Sequence, residues 1–379
     1  MKVKLGAFLN EICEKTTINN EYPVLTSSKS GLFLQSEYFN KQVASKDNTG
    51  YKIIHRGQFT YRAMSDTGEF FPNILECVDI GIVSPAYPVF EISDKTIIVP
   101  EFLNYFFKSD RFQYSIASFV QGSTRTSVKF NKLKTVEINL PDIVEQQRIV
   151  YILNKLGNVI SARKQELQKL DELVKARFVE MFGDVIHNDR NWEKHLFSEI
   201  TTSRLGKMLD AKQQTGEYPF PYLGNANVQW FRFETSNLNQ MDFNEADQVE
   251  FALEDGDLLV CEGGEIGRCA VWHNQVQPCY FQKAIHRVRC NRQFVLPDYL
   301  AWWFKFNCEH NGFSAIEGAK ATIAHLPGAK LKQLQVVVPP VELQNQFVGF
   351  VTQLDKSKYD KFIYLCNTLK NAVIEEVSP

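Results

Sequence analysis

Two stretches of this chain hold apolar side chains at alternating steps of three and four residues for far longer than a domain helix usually runs. In the first, from about Ile143 to Phe182, the stripe is Leu153, Leu156, Ile160, Leu167, Leu170, Val174 and Met181, interrupted at Arg163 and Arg177. In the second, Phe347, Phe350, Leu354, Tyr359, Phe362, Cys366, Leu369 and Val373 keep nearly the same spacing, with a slip around Asp355. Domain helices rarely exceed about 20 residues, so the first stretch predicts a coiled-coil seam of about five heptads. The alternative is a long amphipathic helix lying on its own domain. Two solitary seams in one chain should pair. Antiparallel pairing would give a pseudo-twofold axis with one globular domain at each end.

The rest of the chain repeats itself at an offset of roughly 198 residues. Tyr22-Pro23-Val24-Leu25 matches Phe220-Pro221-Tyr222-Leu223, and His55-Arg56-Gly57-Gln58-Phe59 matches Glu254-Asp255-Gly256-Asp257-Leu258. Pro100-Glu101-Phe102-Leu103 matches Pro297-Asp298-Tyr299-Leu300, each opening an aromatic run with helical character. The ends agree best: KLKTVEINLPDIVEQQRIV (132–150) aligns with KLKQLQVVVPPVELQNQFV (330–348), an alternating strand, a proline break and a glutamine-containing helix start. The order is therefore domain (1–141), central helix (142–187), domain (188–340), distal helix (341–379). Each domain mixes short alternating strands (Lys52 to Tyr61, Asp257 to Cys261, Leu334 to Val338) with one or two helices and many loops, so the fold class is α/β, in the sense of α+β. Turns are marked by Asp47-Asn48-Thr49-Gly50 and Glu262-Gly263-Gly264.

A chain of 379 residues with 44% hydrophobic residues suits two cores. Its start, MKVKLGAFLNEICEKT, lacks the apolar run of a signal peptide, and no stretch approaches eighteen apolar residues, so a cytoplasmic protein without a membrane is expected. Eight cysteines without a C-x-x-C pair indicate reduced thiols. Cys261, Cys269, His273 and Cys279 are the one looser set of metal ligands, and no metal site is expected. Net charge is −2, with 16 Lys and Arg against 14 Asp and Glu in residues 1–141 and 15 against 18 in residues 188–340. A nucleic-acid binder with this balance must use small local patches.

Catalytic motifs are missing. The sequence has no G-x-x-x-x-G-K-[ST] phosphate loop, no G-x-G-x-x-G, no G-x-S-x-G elbow and no E-x-K triplet of metal-dependent nucleases. The nearest match to a base-holding Asn/Asp-Pro-Pro-aromatic tetrapeptide is Val338-Pro339-Pro340-Val341, which lacks both the polar and the aromatic residue. His55 and His286 read better as hydrogen-bonded histidines than as catalytic bases. No catalytic residue is expected. The loops offer instead polar side chains of the types that read bases. In the first domain these are Arg62, beside Tyr61, Ser65 and Asp66, and the run Gln121, Gly122, Ser123, Thr124, Arg125, Thr126 and Ser127. In the second they are Asn225, Asn227, Gln229, Trp230 and Arg232, then Glu265 with Arg268, and Lys320 with Thr322. Arginine pairs with guanine and Asn or Gln with adenine, while Ser, Thr and Lys serve phosphates. Arg125 and Lys320 each follow a glycine in the same loop of the repeat. The copies differ in nearly every loop residue, which suggests two different half-sites.

Residues 140–184, with a Pro-x-x-x-Glu-Gln helix start and a Met-Phe-Gly end just after Phe178, resemble the central spacer of the specificity subunit of type I restriction-modification systems, and the arrangement is similar over the whole chain. In the distal copy Leu343-Gln344 stands where Glu145-Gln146 stands in the first. The resemblance implies two target-recognition domains reading a bipartite double-stranded DNA target, and a complex with two methyltransferase subunits and two motor-nuclease subunits. It also implies that S-adenosylmethionine, ATP and Mg belong to those partners, with no cofactor bound by this chain. A scaffold that does not read DNA, and a fused methyltransferase or nuclease, are the competing classes.

Overall fold

The computed structural model describes residues 2–39, 45–119, 126–210, 214–313 and 325–356. In the first domain the chain forms β1 (Lys2–Lys4), β2 (Leu9–Ile12), β3 (Phe59–Thr60), β4 (Met64–Ser65), β5 (Asn73–Ile74), β6 (Val89–Ile92), α1 (Pro100–Phe107), α2 (Asp110–Ala117), β7 (Thr126–Ser127), α3 (Phe130–Leu133) and β8 (Glu137–Asn139), then the 40-residue α4 (Ile143–Phe182). In the second it forms β9 (Glu193–Leu196), α5 (Phe197–Ile200), β10 (Thr201–Leu205), β11 (Val228–Gln229), β12 (Arg232–Phe233), α6 (Glu245–Phe251), β13 (Leu258–Cys261), β14 (Cys269–Val271), β15 (Ile285–Cys290), α7 (Pro297–Glu309), α8 (Gly328–Lys332), β16 (Gln335–Val338) and the helical residues 341–356, here α9.

The two domains are wired alike. A four-stranded antiparallel sheet runs β2-β6-β3-β5 in one and β10-β15-β13-β14 in the other. The first strand of each domain pairs with the last, β1 with β8 and β9 with β16. The matched turns coincide bond for bond. Gly57 and Gly256 adopt φ of 86° and 87°, a conformation that favours glycine. Their N–H groups donate to the Leu75 and Trp272 carbonyls at 2.9 and 2.8 Å. This turn overturns the uninterrupted strand expected from Lys52 to Tyr61, which is split into Lys52–His55 and β3. Smaller pairings complete each domain: Leu25–Ser28 with Gly31–Leu34, Lys52–His55 with Ile80–Val83, and Pro219–Leu223 between Asn239–Asp242 and Tyr280–Phe281.

Twenty-nine phenylalanines make the cores aromatic. In the first domain Phe90 stacks on Phe59 at 5.5 Å and meets Phe130 at 5.1 Å, while Phe107 on α1 meets Phe112 on α2 at 5.1 Å. Edge and offset contacts of this kind add to the area they bury. Each of α1 and α7 opens with proline at its first position, where a missing N–H costs nothing.

The chain divides into two packed units, Met1–Arg163 and Lys164–Pro379, and the division falls inside α4. The beginning of α4 belongs to the first unit, where Ile149 and Val150 pack on the domain core. Its last turns belong to the second. There Val174, Phe178, Met181 and Phe182 enter the core, with Phe182 4.9 Å from Tyr299 and Phe178 5.5 Å from Phe347 of α9. Gly183, at φ 74°, ends the helix by donating to the Val179 carbonyl at 2.8 Å. Arg177 lies over the Phe350 ring at 5.9 Å. Descending numbers on α4 thus meet ascending numbers on α9, and within the second unit the two segments run antiparallel. Among the described residues no helix is long and apolar enough to cross a membrane.

Candidate nucleic-acid interface

In the second domain three loops meet. The 3-10 turn Asn225–Asn227 and the hairpin β11–β12 form one, residues 262–268 form the second, and His325 bridges to Gly263 from the third. Arg268 ties the first two: its Nη2 donates to the Asn225 carbonyl at 3.0 Å, while Asn225 Nδ2 donates to the Gly263 carbonyl at 3.1 Å. Trp230 Nε1 donates to Glu265 Oε1 at 2.6 Å, and Lys305 Nζ sits 4.5 Å over the Trp230 ring. Gly267 is fixed twice over, by φ 76° and by Phe304 and Phe313, which a Cβ would meet at 2.9 and 3.2 Å. At the hairpin tip Phe231 takes φ 62°, and its ring stacks on Trp302 at 4.3 Å.

This geometry sorts the residues chosen by type. Asn227 accepts from Gly224 N at 2.9 Å and donates to the Glu234 carbonyl at 2.9 Å, so both ends of its amide brace the loop. Asn225 and the largely buried Arg268 likewise hold loop to loop. All three base-reading candidates are thus engaged in bonds that shape this surface. Arg232 is exposed and paired with Glu234, a partner open to exchange in water. Gln229, half-buried, donates to the Ala226 carbonyl at 2.8 Å. Lys320 and Thr322 lie outside the described residues.

In the first domain β4 and β7 pair Ser65 with Thr126 and Met64 with Ser127, which brings the Arg62 loop beside the end of the 121–127 run. Thr126 Oγ1 donates to the Ser65 carbonyl at 2.8 Å and so serves the pairing. Arg62 is exposed, 3.5 Å from Asp66. It lines a polar depression of about 190 Å³ together with Lys29, Ser28 and Thr67. Gln121, Ser123, Thr124 and Arg125 lie outside the described residues. Lys29 escaped the sequence reading, although the polar turn Ser27-Ser28-Lys29-Ser30 between two apolar runs marks a loop. A second missed cluster, Arg204, Lys207 and Lys283, lines a cavity of about 510 Å³. Lys207 is bound to Asp247 at 2.5 Å and to the Asp242 carbonyl at 2.6 Å, so the accessible cations there are Arg204, itself paired with Glu250, and Lys283. The signal was the basic pair Arg204 and Lys207 around Gly206.

His55 is exposed, with Nε2 3.1 Å from Glu14. Buried His286 faces the Leu326 carbonyl at 3.0 Å, and burial lowers its pKa. Burial pushes the Cys261 and Cys279 thiols up to about 11 and about 12. His273 is exposed and 3.1 Å from Asp255. No group of metal-ligating side chains gathers among the described residues. Of the seam residues, Leu153, Leu156 and Leu170 are half-buried, Val174 and Met181 are buried, and Leu354 packs on the aromatic cluster. Ile160 and Leu167 are 47% and 46% exposed. Phe362, Leu369 and Val373 lie outside the described residues.

The sequence profile of the type I restriction modification DNA specificity domain matches residues 7–172 and again 189–365. The chain is similar to the HindI type I restriction enzyme specificity subunit of Haemophilus influenzae, with 24% identity over 44% of this chain and 37% of that one. It is also similar to the MjaIX specificity subunit of Methanocaldococcus jannaschii, with 29% identity over 31% of this chain and 29% of the other. Both alignments span well under two thirds of the relatives' length. The solved S subunit of a type I restriction-modification system from M. genitalium has the same fold, with a TM-score of 0.56 at 14% identity, covering 100% of this chain and 96% of that one. A duplicated domain, with the profile matching each copy, means that this chain belongs to the type I restriction-modification DNA specificity family.

Proposed function

We propose that this protein is the DNA specificity subunit of a type I restriction-modification complex and carries no catalytic chemistry of its own. Each domain reads one half of a bipartite double-stranded target, and the helices set the unread gap between the halves and dock methyltransferase subunits. Two methyltransferase subunits would supply S-adenosylmethionine and modify adenine. Two motor-nuclease subunits would use ATP and Mg. The observation that carries this reading is one sheet and turn wiring built twice under loops of unlike sequence: the frame is common and only the presented side chains change. Phosphate contacts position a protein on DNA, and base contacts specify the sequence. With near-neutral domains, much of the phosphate-binding charge would come from the partners.

The test is to produce the chain with its methyltransferase partner and map methylated adenines across a genome. Marks confined to one two-part sequence with a constant gap are expected. A continuous target, or methylation at the same sites without this chain, would contradict the proposal.

A further inference from the structure

Gln146 and Gln344 occupy the fourth positions of α4 and α9, and both side chains are fully buried. Gln146 Oε1 accepts from Val99 N at 2.9 Å, and its Nε2 donates to the Ile97 and Pro141 carbonyls, both at 2.9 Å. Gln344 repeats this arrangement. Its Oε1 accepts from Leu296 N at 2.9 Å, and its Nε2 donates to the Phe294 and Pro339 carbonyls at 2.9 and 2.8 Å. Val99 and Leu296 are the residues that cap α1 and α7, and Pro141 and Pro339 lie just before the long helices. Each amide therefore joins the base of a long helix to the start of the helix on which its domain is built.

Only a primary amide of this length meets the three groups, with one acceptor and two donors. A glutamate would turn a carboxylate oxygen toward two carbonyls, and an apolar residue would take the side-chain partner from three part-buried backbone bonds.

We propose that Gln146 and Gln344 are positioning residues that fix the angle between each recognition domain and its spacer helix, and thereby hold the gap between half-sites to a single length. The inference rests on the function proposed above. Magnitudes show why an angle matters. A 40-residue helix is about 60 Å long at 1.5 Å per residue, so a pivot of about 3° at its base moves its far end by about 3 Å, close to the ~3.4 Å rise of one base pair. The neighbouring contacts are fewer at each junction: in the first unit Tyr105 Oη donates one hydrogen bond to Asn154 at 2.6 Å, and in the second Phe347 lies edge-on to Trp302 at 6.0 Å.

The test uses the full chain assembled with its methyltransferase partner and compares the methylated sites of wild type, Gln146→Met and Gln344→Met. Leu25→Ala and Met241→Ala, in core clusters without spacer-helix residues, serve as equally destabilised controls. The expected result is about a tenfold rise, equal to about 1.4 kcal/mol, in the share of marks whose gap is one base pair longer or shorter. Both half-sites should be unchanged, and the controls should show no rise. Variants that lower total methylation while keeping the gap as strict as wild type would overturn the inference. If the Met variants do not assemble, Gln146→Asn and Gln344→Asn, with the amide one methylene short, give the same readout. Failure of all four to assemble would assign the glutamines to stability alone and overturn it. A wild-type pattern with no two-part site would instead refute the proposed function, and the clamp's role with it.

Discussion

Arg268 and Arg232 lie 36 residues apart on loops that meet, the first largely buried and the second exposed. Removing the Arg268 side chain would take the charged donor from the Asn225 carbonyl and leave it only the weak thiol contact of Cys261 at 3.9 Å. Arg268→Ala should cost about 1–3 kcal/mol of stability. Arg232→Ala should change stability by no more than about 0.5 kcal/mol, yet relax one position of the second half-site, as loss of a base contact worth about 1–3 kcal/mol would. Melting curves and the methylated-site pattern together check the pair, and equal stability losses would refute the assignment. Residue type alone made Asn225, Asn227, Arg232 and Arg268 look equivalent. The Asn225 carbonyl that receives Arg268 lies 43 residues away and leaves no local mark in the sequence, and the Glu234 carbonyl reaches Asn227 only because the hairpin between them closes.

Between the domains, α4 is a helix with two kinds of neighbour. Its start rests on the first domain and its last two turns are core residues of the second. Phe178 is the clearest of these, ringed by Tyr299, Trp302, Phe306 and Phe347. Phe178→Ala should cost about 3–5 kcal/mol, read as a lower melting temperature of the second unit, and a loss under about 1 kcal/mol, typical of an exposed position, would show that the helix end is not built into that core. The 3-4 spacing made the length and direction of this helix legible. It did not reveal Phe178, because Phe178 lies one position off the expected Arg177 slot, and the packing there follows the domain's aromatic face rather than a helix–helix seam alone. The split of Lys52 to Tyr61 was hidden for a similar reason: alternation continues through Gly57, and only the left-handed turn breaks the strand.

Across the whole molecule the repeat was the most legible feature, since the paired motifs fall on matched strands, turns and helix starts. The repeated glutamine was visible as a helix-start residue, but its three-way bonding joins segments nearly 50 residues apart and required coordinates. A common frame with unlike loops implies that each domain reads its half-site by itself, which exchange of one domain puts to the test. Residues 190–340 would be replaced by the corresponding domain of a relative with a known target, and methylated adenines mapped in cells that also contain the methyltransferase partner. One half of the target should change to the relative's half-site while the other half and the gap stay as they were. A change in both halves, or in neither, would contradict it.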